Sequence, residues 1–213
     1  MAGTLAAATA DVEAHARAYD GPMLRALNGL IVRISSSLPL FLATVAVFVL
    51  TLTALTRISN DFPAIAGGAL PFDMQNGLTA ADVLAQLPGY TEQARAKYRL
   101  FTAIDYVFPV AGGLFIAAVA AFCLRRQFAA VYERAVAGAW LPWLMLASLF
   151  DWCENVAAIV AINAWPDTTM AMATAIVVAK KLKLGFLFAT QGAVALLALA
   201  SLGRWVAGRL KQA

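Results

Sequence analysis

Residues 38–56, LPLFLATVAVFVLTLTALT, carry no charge, and their length is close to the roughly 20 apolar residues a helix needs to cross a hydrocarbon core. Ser37 can cap this helix, Pro39 sits in its first turn where a missing N–H costs little, and Arg57 marks its expected end. Three further apolar runs follow, at about 100–124, 139–165 and 175–203, stopped by Arg125-Arg126 and, at the last, by Arg204. In lipid, only helices and closed barrels satisfy their own backbone polar groups. The reading is therefore an all-α polytopic membrane protein, with four transmembrane helices in an up-down bundle.

The whole-chain arithmetic agrees. The 213 residues are 62% hydrophobic and 13% charged, against roughly half and a quarter for soluble domains. The net charge of +4 comes from basic residues scattered around the apolar runs, which fits a bilayer surface and gives no nucleic-acid footprint. Residues 1–37 form an amphipathic segment, 38–203 the membrane domain and 204–213 a short tail. No cleavable leader is expected, because an early basic stretch followed by an apolar core is missing. Residues 10–19 read as helical. Gly21-Pro22 breaks that run, and Met23, Leu24, Leu27, Leu30, Ile31 and Ile34 recur at near-helical spacing beyond it, as in a helix along the headgroups or a tail leading into the first span. The density of Lys and Arg in LRRQFAAVYER and GRWVAGRLK places both termini in the cytoplasm.

Function classes fall away on residue type. The single histidine, His15, precedes the first span, so haem ligation, a His-based zinc site and imidazole chemistry inside the membrane are not expected. Cys123 and Cys153 lie in separate spans without CxxC spacing and read as packing residues. Trp140, Trp143 and Trp165 read as interfacial anchors. No cofactor or metal is expected, and no nucleophile motif or phosphate loop points to an enzyme.

The outer loop, 57–99, contains its own helical signals. Thr79 with Asp82 three residues on resembles a capping box, Val83, Leu84 and Leu87 give an apolar face, and Pro88-Gly89 ends the helix. Thr91 can cap the next one, with Glu92, Arg95 and Arg99 along it. Upstream, DFPAIAGGALPFDMQNG is expected to wander over the bundle.

Ionisable residues inside spans are costly, about 2.5–3.5 kcal/mol each at mid-membrane on insertion scales, and need partners. In SLFDWCENV, Ser148, Asp151 and Asn155 share one helical face with Glu154 beside it, while Trp152 turns away. Asp105 precedes Pro109 by four residues, so the proline withholds the hydrogen bond that the Asp105 carbonyl would accept and a kink is expected there. Gly112 and Gly113 let another helix approach, and Tyr106 offers a hydroxyl or an interfacial ring. The fourth apolar stretch holds Lys180 and Lys183 on one face with Thr190, and Lys181 on another where it can snorkel. The expectation is a buried network of Asp105, Asp151, Glu154 and Asn155 with Lys180 or Lys183.

GLTAADVLAQLPGYTEQARAKYRLFTAIDYVFPVAGG, residues 77–113, followed after a basic loop by LPWLMLASLFDWCENVAAIV, residues 141–160, resembles a type of small bacterial four-span membrane protein. The likeness covers about Leu78 to Lys183, and Tyr98, Asp105, Pro109, Asp151, Glu154 and Asn155 are its most specific elements. It implies the topology and the candidate cluster, in a bacterial membrane, and it brings no activity. Three functions stay open: binding or moving a small ligand or proton, a structural or assembly subunit of a homodimer or larger complex, and an acid-base enzyme acting on a lipid or isoprenoid.

Overall fold

The computed structural model describes residues 21–210, and among them every regular element is helical. The elements are α1 (Pro22–Ser36), α2 (Leu38–Asp61), α3 (Ala80–Gln86), α4 (Glu92–Asp105), α5 (Phe108–Gln127), α6 (Ala129–Ala137), α7 (Leu146–Ala164) and α8 (Met170–Leu210), with 3₁₀ turns at Phe62–Ala64, Phe72–Met74, Leu87–Gly89 and Leu141–Met145. Four stretches are long and apolar enough to cross a membrane: Leu38–Ala64, Glu92–Gln127, Leu141–Ala164 and Met170–Leu210. The expected helix over residues 10–19, and His15 with it, lies outside the described residues.

Several helices run past the expected span ends, and local chemistry explains each case. Arg57 closes the apolar run of α2 but not the helix, which continues to Asp61 because no breaker comes before Pro63. Likewise α8 continues beyond Arg204 to Leu210, since arginine is a good helix former. Its 41 residues would extend about 60 Å at 1.5 Å per residue, twice a hydrocarbon core of about 30 Å. The basic connection after α5, read only as a loop, holds α6, which ends where Ala139 takes a left-handed φ of 49°.

The chain packs as two compact units. Among the described residues, one comprises 21–41, Ile116–Leu144 and 192–210. In it α1 is amphipathic as expected, although Asn28, Ile31, Ile34 and Ser35 are the buried positions while Met23 and Leu30 are exposed. Asn28 donates its amide to the Val136 carbonyl of α6 at 3.2 Å, and the Arg204 guanidinium lies 4.7 Å from the centre of the Phe128 ring.

The other unit is Leu42–Phe115 with Met145–Gln191. Its core joins the connection between the first two spans to α4, α7 and α8, through Phe62, Phe72, Val83, Leu87, Tyr90, Tyr98, Ala158, Ile162 and Ile176. The stretch expected to wander is thus tied down: Phe72 stacks on Tyr90 with ring centres 5.4 Å apart, and Phe62 meets Tyr90 and Tyr98 edge-on. The Thr79 capping box forms in both directions, Thr79 N–H to Asp82 Oδ2 at 2.9 Å and Asp82 N–H to Thr79 Oγ1 at 3.2 Å. These bonds from Thr79 hold the exposed Asp82 carboxyl below its usual range. Thr91 caps α4 by accepting from Ala94 N–H at 3.1 Å, and Glu92 pairs with Arg99 at 3.0 Å.

The two glycines after Pro109 admit large neighbours. A Cβ on Gly112 would lie 3.1 Å from the Phe48 ring, and one on Gly113 would lie 2.7 Å from Ser148 Oγ and 3.1 Å from Met145 Cε. Gly113→Ala is therefore expected to destabilise by about 1–3 kcal/mol, the usual range for overpacking. Thermal unfolding in mild detergent reads this out, and an unchanged midpoint would mean that α7 need not come so close.

Candidate functional site: a buried carboxylate and lysine cluster

Four segments of the second unit bring the ionisable residues together, each for a local reason. On α7, Asp151, Glu154 and Asn155 are all buried while Trp152 and Cys153 are exposed, as one polar face of a helix requires. The outward position of Cys153 corrects its reading as a packing residue; Cys123 is buried as expected. On α8, Lys180 and Lys183 are buried with Thr190, and Lys181 is exposed. Glu154 lies ten residues before the end of α7 and Lys180 ten residues after the start of α8, so the short connection between these helices sets them at one level.

The second span breaks at Asp105. Tyr106 and Val107 form a turn between α4 and α5, which is the interruption that Pro109 predicts four residues after Asp105. Two α7 side chains serve this break. Ser148 donates its hydroxyl to the Pro109 carbonyl at 2.6 Å, and Trp152 donates its indole N–H to the Tyr106 carbonyl at 2.9 Å. Ser148 and Tyr106, candidate members of the polar cluster by position, are thus engaged elsewhere. The Ser148 hydroxyl is committed to the Pro109 carbonyl, and the Tyr106 ring packs edge-on to Trp152 at 6.3 Å.

Both lysines enter the network, where only one was anticipated. Lys180 Nζ lies 2.9 Å from Glu154 Oε1, and Lys183 Nζ lies 2.7 Å from Glu154 Oε2 and 3.5 Å from Asp151 Oδ1. Glu154 directs its two oxygens to the two ammonium groups. Asn155 donates to Asp105 Oδ2 at 3.0 Å and, at a long 3.5 Å, to Asp151 Oδ1.

The residue that sequence reasoning missed is Asp73. The 3₁₀ turn Phe72–Met74 carries it to the lysines: its carboxylate pairs with Lys183, and its backbone carbonyl accepts from Lys180 Nζ at 2.8 Å. Burial works to raise the Asp73 pKa, but the Lys183 and Lys180 ammonium groups outweigh it and hold the carboxyl below the usual carboxylate range. At 15%, the Asp73 side chain is the most exposed in the ion-paired set, against 9% for Lys183 and Asp151, 2% for Lys180 and 1% for Glu154. The one sequence signal of Asp73 is a carboxylate between Phe72 and Met74, which is weak in a loop without periodicity.

Asp73, Asp105 and Asp151 each place one oxygen within 4.8 Å of the others, a spacing able to hold a cation. The Lys183 ammonium already contacts two of these three carboxylates, so a metal ion would have to share them with that charge or displace it. Four carboxyls face two ammoniums. A bound proton or a cation from outside would offset the excess. No protein-family model, curated protein or solved structure matches the chain.

Proposed function

We propose that this is a bacterial inner-membrane protein, with both termini cytoplasmic, that takes up and releases protons at the Asp73, Asp105, Asp151, Glu154, Lys180 and Lys183 cluster. One observation carries this reading: a run of polar groups from Asp105 through Asn155, Asp151, Lys183 and Glu154 to Lys180, each link 3.5 Å or less, holding more carboxyls than ammoniums. Chains of intramembrane acids in this kind of contact are the usual material of proton relays. The first-to-second-span connection, external in this orientation, contributes Asp73 as the point of contact with water. The resemblance described above supports the bacterial membrane, and the basic segments flanking the spans support the orientation.

Purified protein in liposomes loaded with a pH-sensitive dye tests the reading. Wild type is expected to move protons down an imposed gradient, and Asp105→Asn to reduce the rate at least tenfold while leaving every lysine pair in place. Asp105 is the variant of choice because its hydrogen-bonding partner, Asn155, is neutral. Wild-type liposomes no leakier than empty ones would sink the proposal. They would favour a second reading, a structural clasp, which rests on the way Lys180 and Lys183 join the Phe72–Met74 turn to α7 and α8.

A further inference from the structure

The first unit contains a cavity of about 360 Å³ between the start of α2 and the end of α5, within the roughly 300–1,000 Å³ of ordinary ligand sites. Its lining changes character along the helices. Ser35, Ser36, Arg125 and Arg126 lie where the spans meet the interface, and Phe41 and Phe122 lie one turn further into the apolar runs. Arg125 is held in place, donating to the Ser35 carbonyl at 2.8 Å and to the Ser36 hydroxyl. The Arg126 guanidinium sits over the Phe122 ring, 5.6 Å from its centre. Among the described residues neither arginine has a carboxylate partner, whereas the acids of the second unit have lysines to hand.

Two adjacent guanidinium groups without a carboxylate among the described residues attract an anion. Arginine matches the geometry of phosphate oxygens, and its weak hydration suits a partly apolar setting. A free anion would gain nothing from the phenylalanine half of the cavity. We propose that the cavity binds one acidic phospholipid, its phosphate on Arg125 and Arg126 beside the Ser36 hydroxyl, and its acyl chain along Phe41 and Phe122. This site is separate from the carboxylate cluster and does not depend on how that cluster works.

The test uses the full chain in mild detergent, with phosphatidylglycerol, phosphatidylcholine or inorganic phosphate added at equal concentration, read by native mass spectrometry and thermal unfolding. Phosphatidylglycerol is expected to stay bound and to raise the unfolding midpoint, whereas the other two should do neither. Arg126→Gln, which removes charge but none of the bonds that Arg125 makes to the chain, is expected to weaken phosphatidylglycerol binding about fivefold. Should Arg125→Gln fail to fold, the Arg126 variant decides alone. Equal retention of the two lipids, stabilisation by inorganic phosphate to the same degree, or an Arg126→Gln protein that binds phosphatidylglycerol like wild type would each overturn the proposal.

Discussion

Lys183→Met is expected to lower stability by about 3–5 kcal/mol, the range found when one partner is removed from a buried ion pair. Methionine matches the length of the lysine stem, so the packing of α8 survives and the lost charge is what is measured. Lys183 is the ammonium common to Asp73, Glu154 and Asp151, and without it those carboxylates face one another with Lys180 as the one remaining ammonium, ion-paired with Glu154. Lys181→Met, one residue away on the exposed side of α8, supplies the control and is expected to shift stability by no more than about 0.5 kcal/mol. Equilibrium unfolding in mild detergent compares them. If Lys183→Met cost less than about 1 kcal/mol, the ion pairs would not be what joins these segments, and the energetic role given to the cluster would be wrong.

The legible part of this protein follows from constraints that act locally. A run such as residues 38–56 has no alternative to a membrane helix, and the i, i+3 and i+4 spacing of Asp151, Glu154 and Asn155 places them together whatever α7 packs against. The break at Asp105 was legible for the same reason, since proline acts on a backbone carbonyl four residues away. Pairing through space was not legible. Asp73 and Lys183 are 110 residues apart, and nothing in DFPAIAGGALPFDMQNG has a period that would orient a side chain. The segment is fixed by Phe62 and Phe72 packing on Tyr90 and Tyr98, a tertiary event, and Asp73 follows Phe72 into the site. Ser148 shows the converse: its position on the polar face was right, but the Pro109 carbonyl beside the second-span break takes its hydroxyl.

Asp73→Asn is expected to cost about 2–3 kcal/mol near neutral pH, the upper range for a hydrogen bond to a charged group. Asparagine keeps the backbone carbonyl that Lys180 uses and the shape of the turn, so the loss isolates the pairing with Lys183. Its pH dependence gives the sharper signature. The carboxyl of Asp73 is held below its unfolded value of about 3.9, so the folded state binds fewer protons at this group than the unfolded chain does. The stability it contributes is fully present above the unfolded pKa and is lost as pH falls through the folded one. The difference between wild type and Asp73→Asn should therefore stay constant from pH 7 to about pH 5 and shrink below about pH 4. Unfolding midpoints measured in detergent between pH 7 and pH 3 trace that difference directly. A gap that widened towards low pH would mean that Asp73 is protonated in the folded protein and that Lys183 draws its compensation from Glu154 and Asp151 alone.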